Sequence, residues 1–118
     1  MENNESKLQI ECIKWWNLQY PQHYGLLFAV PNGSQRNVIT AVILQKEGVI
    51  SGVSDLIMLK PNAHYHGLCI EMKYGKNKQS ENQIIWQSKV VVQGYKYVVC
   101  YSFDDFRDII NNYLADKL

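Results

Sequence analysis

The stretch GVSDLIMLKPNAHYHGLCIEMKYGK, residues 52–76, decides how the chain is read. It contains two apolar runs of strand length, residues 54–59 and 66–73, separated by the turn-rich segment KPNAHY. A link that short implies antiparallel pairing. A hairpin folded about residue 63 sets Asp55 opposite Glu71. Glu71 and Lys73 are two residues apart, so in a strand they share one face. Directly opposed residues lie about 5 Å apart at Cβ. Three charged side chains therefore converge at the end of the hairpin remote from its loop, where a core strand would carry Val or Ile.

Two readings of that convergence are open. In one, Lys73 makes a surface ion pair with either acid, an interaction of about 0–1 kcal/mol. In the other, the cluster is a reaction centre. Two close carboxylates repel, and ionising both in a half-buried place is costly. Lys73 compensates one charge. A divalent cation compensates two and prefers carboxylate oxygens. A hard cation held by two acids beside a lysine suits phosphodiester hydrolysis, because it polarises the phosphate and acidifies a bound water. Lys73 then orients the water or offsets charge in the transition state. An acid followed at some distance by Glu-x-Lys is a loose pattern, and spacing alone does not separate the two readings.

Outward from the hairpin, helical and extended periods alternate. Residues 5–19 predict a helix with Leu8, Cys12, Trp15 and Gln19 on one stripe, widened by Ile13 and Trp16 and stopped by Pro21. Residues 26–30 predict a short strand, followed by a PNGS turn. Residues 37–47 predict a helix with Val38, Ala41, Val42 and Leu44 on one side, ending at Gly48. Residues 81–93 predict a third helix, with Ser80 and Gln83 at capping-box spacing and Gly94 at its end. Residues 96–101 predict a strand. A last helix capped by Ser102 and Asp105 carries Phe106, Ile109, Ile110, Tyr113 and Leu114 on its stripe. The expected fold is α/β, a small mixed sheet flanked by helices in the order α-β-α-β-β-α-β-α, as a single domain over residues 1–118.

Composition narrows the class. The chain has 118 residues, 47% hydrophobic and 19% charged, which is globular and large enough for a core without disulfides. No apolar run reaches the roughly 18 residues of a membrane span. The acidic, polar start MENNESKLQI shows no secretory signal. Cys12, Cys69 and Cys100 each have apolar neighbours and no C-x-x-C spacing, so they are expected to be reduced, buried and cytoplasmic. His64-x-His66 has strand spacing for a metal but lies in the hairpin loop without a third ligand nearby. The net charge of +1 hides a basic middle, with six lysines over residues 60–96 against Glu71 and Glu81, and an acidic last helix.

The order and spacing of these pieces resemble the VRR-NUC family of virus-type replication–repair nucleases, a branch of the PD-(D/E)XK superfamily. The matching residues are Glu11, Pro31-Asn32-Gly33, Gly48, Gly52, Asp55-Leu56, Glu71-Met72-Lys73, Gln83, Trp86 and Gly94-Tyr95, over roughly residues 8–110. The resemblance implies a Mg²⁺- or Mn²⁺-dependent endonuclease acting on DNA. Asp55, Glu71 and the Met72 carbonyl would be metal ligands, and Lys73 the catalytic lysine. Glu11 would be a further acid near the metal, and Gln83 would support the lysine or the water. Read from spacing, Glu11 also fits a solvated helix acid between Lys7 and Lys14. Gln83 also fits the capping box, and the two roles are compatible. Lys76, Lys78, Asn32 and Arg36 would contact DNA; by composition alone their turns are ordinary exposed loops.

Stand-alone members of the family are associated with four-way junctions. Two cuts in a symmetric junction need two sites, which implies a twofold homodimer. Its contact is expected at the face of KYVVCY or at the pair Trp15-Trp16. The family usually has proline where this chain has Ser54, a change expected to loosen the approach of Asp55 without removing a ligand. The alternatives are a restriction-like nuclease on duplex DNA and a non-catalytic nucleic-acid-binding module of the same fold. No membrane partner is implied, and a viral gene would place the protein in the host cytoplasm.

Overall fold

The computed structural model describes residues 3–31 and 38–118. The first helix, α1 (Asn4–Gln19), begins where the Asn3 side chain accepts the Ser6 N–H at 2.8 Å. Pro21 ends it and opens a 3-10 turn, Pro21–His23, that the periodicity does not predict. There follow β1 (Leu27–Ala29), α2 (Val38–Lys46), β2 (Leu56–Met58), β3 (Leu68–Met72), α3 (Glu81–Val92), β4 (Lys96–Cys100) and α4 (Phe103–Leu114). Ser80 and Gln83 close a full capping box on α3, and the Ser102 hydroxyl accepts the Asp105 N–H to cap α4.

The sheet is mixed, in the order β1-β2-β3-β4. β1 and β3 flank β2 antiparallel, and β4 runs parallel to β3 because α3 carries the chain back between them. In the central hairpin Leu56 faces Ile70, Ile57 faces Cys69 and Met58 faces Leu68. The next step of that register sets Asp55 opposite Glu71, the pairing expected from a fold about residue 63.

Alternation splits β3 between two layers. Leu68, Ile70 and Met72 face the core with Leu56 and Met58 of β2. There they meet Cys12 and Trp16 of α1 and Phe106, Ile110 and Tyr113 of α4, all within one apolar cluster. Of the α1 stripe predicted from periodicity, Cys12 and Trp16 are buried, Leu8, Ile13 and Trp15 half-buried and Gln19 exposed; on α4, Phe106, Ile110 and Tyr113 are buried and Ile109 and Leu114 half-buried. Trp16 is 1% exposed, and Trp15 packs edge-on against Tyr20, Phe103 and Phe106. The tryptophan pair thus packs inward, Trp16 buried and Trp15 half-buried. The three thiols are free and buried, and burial pushes Cys12 and Cys100 up to about 12 and Cys69 up to about 11. They remain protonated and inert at neutral pH.

The opposite face of the sheet carries Cys69, Glu71 and Tyr97. It lies under α3, whose Trp86 meets Tyr97 edge-on at 6.2 Å. All five residues of β3 are therefore buried. The second helix differs. None of the residues of α2 is buried, although it is almost wholly apolar, and Val38 and Ile39 stand 78% and 74% exposed. Of its predicted stripe, Ala41 and Leu44 are half-buried, while Val38 and Val42 are exposed.

Gly52 joins the hairpin to α3. Its φ is +93°, and a Cβ built on it would lie 2.4 Å from the Asn82 carbonyl oxygen. Only glycine permits both this backbone and this contact. Gly25 has a similar φ of +92° but open space around it. Gly52→Ala is therefore expected to cost more than Gly25→Ala, by about 1–3 kcal/mol for the added overlap. Urea denaturation of the two variants measures the difference; equal costs would show that the approach to α3 is slack.

Candidate active site

Two side chains interrupt the hairpin ladder and replace it with bonds of their own. Asp55 Oδ2 accepts the Met72 N–H at 2.8 Å, and Glu71 Oε1 accepts the Asp55 N–H at 3.2 Å. β2 and β3 end as ladder strands here because carboxylates take the backbone donors that a further ladder step would use. Lys73 continues beside β4, its N–H donating to the Cys100 carbonyl at 2.9 Å. Its Nζ lies 3.3 Å from Glu71 Oε2. Asp55, Glu71 and Lys73 thus form one cluster, as register arithmetic predicts.

The cluster is not a solvated edge. Glu71 is 1% exposed and Lys73 9%. Burial, and then the neighbouring Asp55, push the Glu71 carboxyl up to about 7, against the lowering effect of Lys73. Burial also raises Asp55, against hydrogen bonds from Met72 and Glu71 that lower it. Without a further cation, the two carboxyls cannot both ionise cheaply.

Gln83 serves two structures at once. Its Oε1 accepts the Ser80 N–H at 2.8 Å, completing the capping box, and its Nε2 donates to Glu71 Oε2 at 2.7 Å. Ser54 is fully buried. Its hydroxyl donates to the Leu56 carbonyl at 2.9 Å, tying the chain on both sides of Asp55 by a bond that proline cannot make.

The first helix brings a different acid from the one singled out in the sequence. Glu11 is exposed and lies outside the cluster, with Cys12 as its electrostatic neighbour. Glu5 is the α1 acid that senses the site. Burial and then Asp55 raise its carboxyl, while Lys73 and a hydrogen bond with the Asn77 side chain lower it. Helix geometry gives the reason. Glu5 precedes the buried Cys12 by seven residues, close to two full turns, and so shares its face; Glu11 is turned by about 100°. That heptad spacing was the signal available in the sequence.

Other placements are mixed. Lys76 and Lys78 are exposed in the loop after β3, where the Asn77 N–H closes a turn on the Tyr74 carbonyl at 3.3 Å. Asn32 and Arg36 lie outside the described residues. Beneath the cluster, Gln79 donates to Gln87 at 2.9 Å and to the Tyr97 hydroxyl at 3.2 Å, neighbours that the sequence did not single out. Burial raises the Tyr97 hydroxyl to about 12, with Glu71 and Asp55 adding to the rise and Gln79 opposing it. His64 Nδ1 contacts the Leu118 carbonyl at 2.8 Å.

The donor set suits a hard cation. Asp55 and Glu71 offer oxygen ligands close together, and a divalent ion would favour their ionised forms. Among the described residues no group of three His, Cys, Asp or Glu is arranged to hold a metal. Two carboxylates with the Met72 carbonyl match a partly hydrated ion that completes its shell with water or substrate.

The proton on Glu71 makes metal-free stability depend on pH. Its folded pKa lies above its ordinary value, so the contribution is full below about pH 4.5 and lost as pH rises through about 7. In EDTA, Glu71→Gln should gain in urea midpoint over the unmodified protein between pH 5 and pH 8, with no further gain above. A difference independent of pH would show that Glu71 ionises freely.

Comparison with known proteins gives the fold and the family. A solved structure titled VRR_NUC domain protein superposes with a TM-score of 0.84 at 24% identity, covering 98% of this chain and 91% of that one. No match is found among curated proteins. The fold is therefore the mixed α/β arrangement of a VRR-NUC structure, with a four-stranded sheet and four helices. The VRR-NUC domain family, a nuclease-type family generally dependent on metal and acting on nucleic acid, matches residues 3–104, and the chain belongs to it.

Proposed function

We propose that the protein is a Mg²⁺- or Mn²⁺-dependent DNA endonuclease of the PD-(D/E)XK type, acting on branched DNA such as four-way junctions. The observation that supports this best is the convergence of half-buried Asp55 with buried Glu71 and Lys73 at the end of the central hairpin, with Lys73 Nζ 3.3 Å from Glu71. A surface ion pair does not account for groups buried this deeply.

Asp55, Glu71 and the Met72 carbonyl would hold the ion, with Glu5 rather than Glu11 as the nearby helix acid. When bound, the ion supplies Lewis acidity toward a phosphate oxygen and acidifies a water. Lys73 is placed to donate to that water or to the transferring phosphate, in a site where α3 limits competing solvent. Gln83 holds Glu71 at the same Oε2 that Lys73 contacts. Lys76 and Lys78 would contact the backbone of the DNA, setting position and not sequence. Three reduced thiols suit a cytoplasmic setting.

The homodimer needed for paired cuts has a candidate contact in α2. Val38, Ile39 and Ile43 of this helix are exposed apolar side chains, none of them buried by a strand or helix among the described residues.

A cleavage assay with labelled four-way junction, flap, single-stranded and duplex DNA, in Mg²⁺, Mn²⁺ or EDTA, tests the reading. Junction cutting should need metal and fall at least about a hundredfold in Asp55→Asn. Glu5→Gln should lose about tenfold or more, through weaker metal support, while Glu11→Gln stays within about twofold. Cutting of duplex alone would sink the junction assignment; junction binding without cutting by any form would leave a binding module. In sedimentation, Ile39→Asp with Ile43→Asp should convert a dimer to a folded monomer. A dimer that survives both changes has its contact elsewhere.

A further inference from the structure

Beside the catalytic lysine stands a tyrosine that the reaction chemistry does not use. The parallel register pairs Glu71 with Val99 and Met72 with Cys100. One step further, Tyr101 falls beside Lys73, on the face that carries Glu71. Tyr74, though adjacent to Lys73 in sequence, falls on the opposite face by alternation. Tyr101 is 42% exposed, and no aromatic ring among the described residues packs on it.

The side chain is nonetheless fixed. Its hydroxyl donates to the Asn77 carbonyl at 3.1 Å, and its backbone N–H donates to Asp105 Oδ2 at 3.0 Å. A ring held at its backbone and at its far end loses little freedom when something stacks on it. Asn77 sits between Lys76 and Lys78, both exposed. An aromatic face beside a cationic backbone track is the arrangement that binds unpaired nucleotides. Neighbouring strands lie about 4.8 Å apart, so the ring is within about one nucleotide of a phosphate held at Glu71 and Lys73.

We propose that Tyr101 is a stacking platform for an unpaired nucleobase next to the scissile phosphate, and that it favours substrates whose strands are open at the cut. This rests on the nuclease reading above. A base inside an intact duplex is stacked on its own neighbours and cannot reach the ring without being turned out. A branch point or a flap supplies such a base at lower cost.

The test uses two DNAs of one sequence, one fully paired and one with unpaired nucleotides beside the cut position, with 2-aminopurine at that place. Binding is measured with Tyr101→Leu, Tyr101→Phe and Tyr101→Trp, each in the Asp55→Asn protein with Ca²⁺, and cutting with the active forms in Mg²⁺. Tyr101→Leu should bind the open DNA about tenfold more weakly and lose the 2-aminopurine quench, with the paired DNA within about twofold. Tyr101→Phe and Tyr101→Trp should keep the preference for open DNA. The proposal is overturned if Tyr101→Leu weakens both DNAs equally, or if Tyr101→Trp loses the preference although folded. An unmodified protein that neither binds nor cuts any DNA would defeat the nuclease reading itself. An active one indifferent to Tyr101→Leu would defeat only the stacking role.

Discussion

Glu71 is a carboxylate held out of water in the middle of the fold, and the surrounding architecture is the set of groups that make this tolerable. Each partner comes from a different place: the Asp55 N–H from the start of the hairpin, Nζ of Lys73 from two residues along, and Nε2 of Gln83 from the first turn of α3. Removing any one leaves a buried acceptor short of a donor, which is more costly than the bond was worth. Placing α3 correctly in turn depends on Gly52, whose backbone approaches Asn82 too closely for a side chain. One buried acid thereby couples the register of a hairpin to the position of a helix.

The two faces of the sheet divide the work. The face toward α1 and α4 is apolar throughout, and Leu56, Met58, Leu68, Ile70 and Met72 are each 0% exposed. Each such side chain contributes about 1.5–3 kcal/mol by burial. The other face holds two acids whose carboxyls are both pushed upward. A pair of acids that disfavour each other's charge persists here because the opposite face of the same strands is well packed.

Local periodicity made much of this readable. Period two set Asp55 against Glu71 and placed Lys73 on the same face, and the helical period marked the buried stripes of α1 and α4. Gln83 could be read both as a cap and as a site residue because an amide has a separate acceptor and donor, and it uses one for each. What failed were choices that depend on docking. Glu5 and Glu11 are acids on one helix, and which of them reaches the sheet end is settled by the packing of Cys12 and Trp16. An exposed aromatic pair and a packed one look alike in sequence, and here Trp16 is buried and Trp15 half-buried. The apolar stripe of α2 looked like core, yet no strand or helix among the described residues buries it.

The loop after β3 is held in place from two sides. Asn77 lies at its centre, with its side chain bonded to Glu5 at the start of α1 and its carbonyl to Tyr101 just before α4. The lysines on either side of it therefore project from a segment braced against both helices. Phosphate contacts on a free loop would have to order that loop on binding, at a cost in conformational entropy for each residue fixed. Here the ordering is already made in the folded chain. The same braces tie the loop to Glu5, whose carboxyl senses Asp55 and Lys73, so the cationic track and the carboxylate pair are positioned by one network and should shift together when either is disturbed.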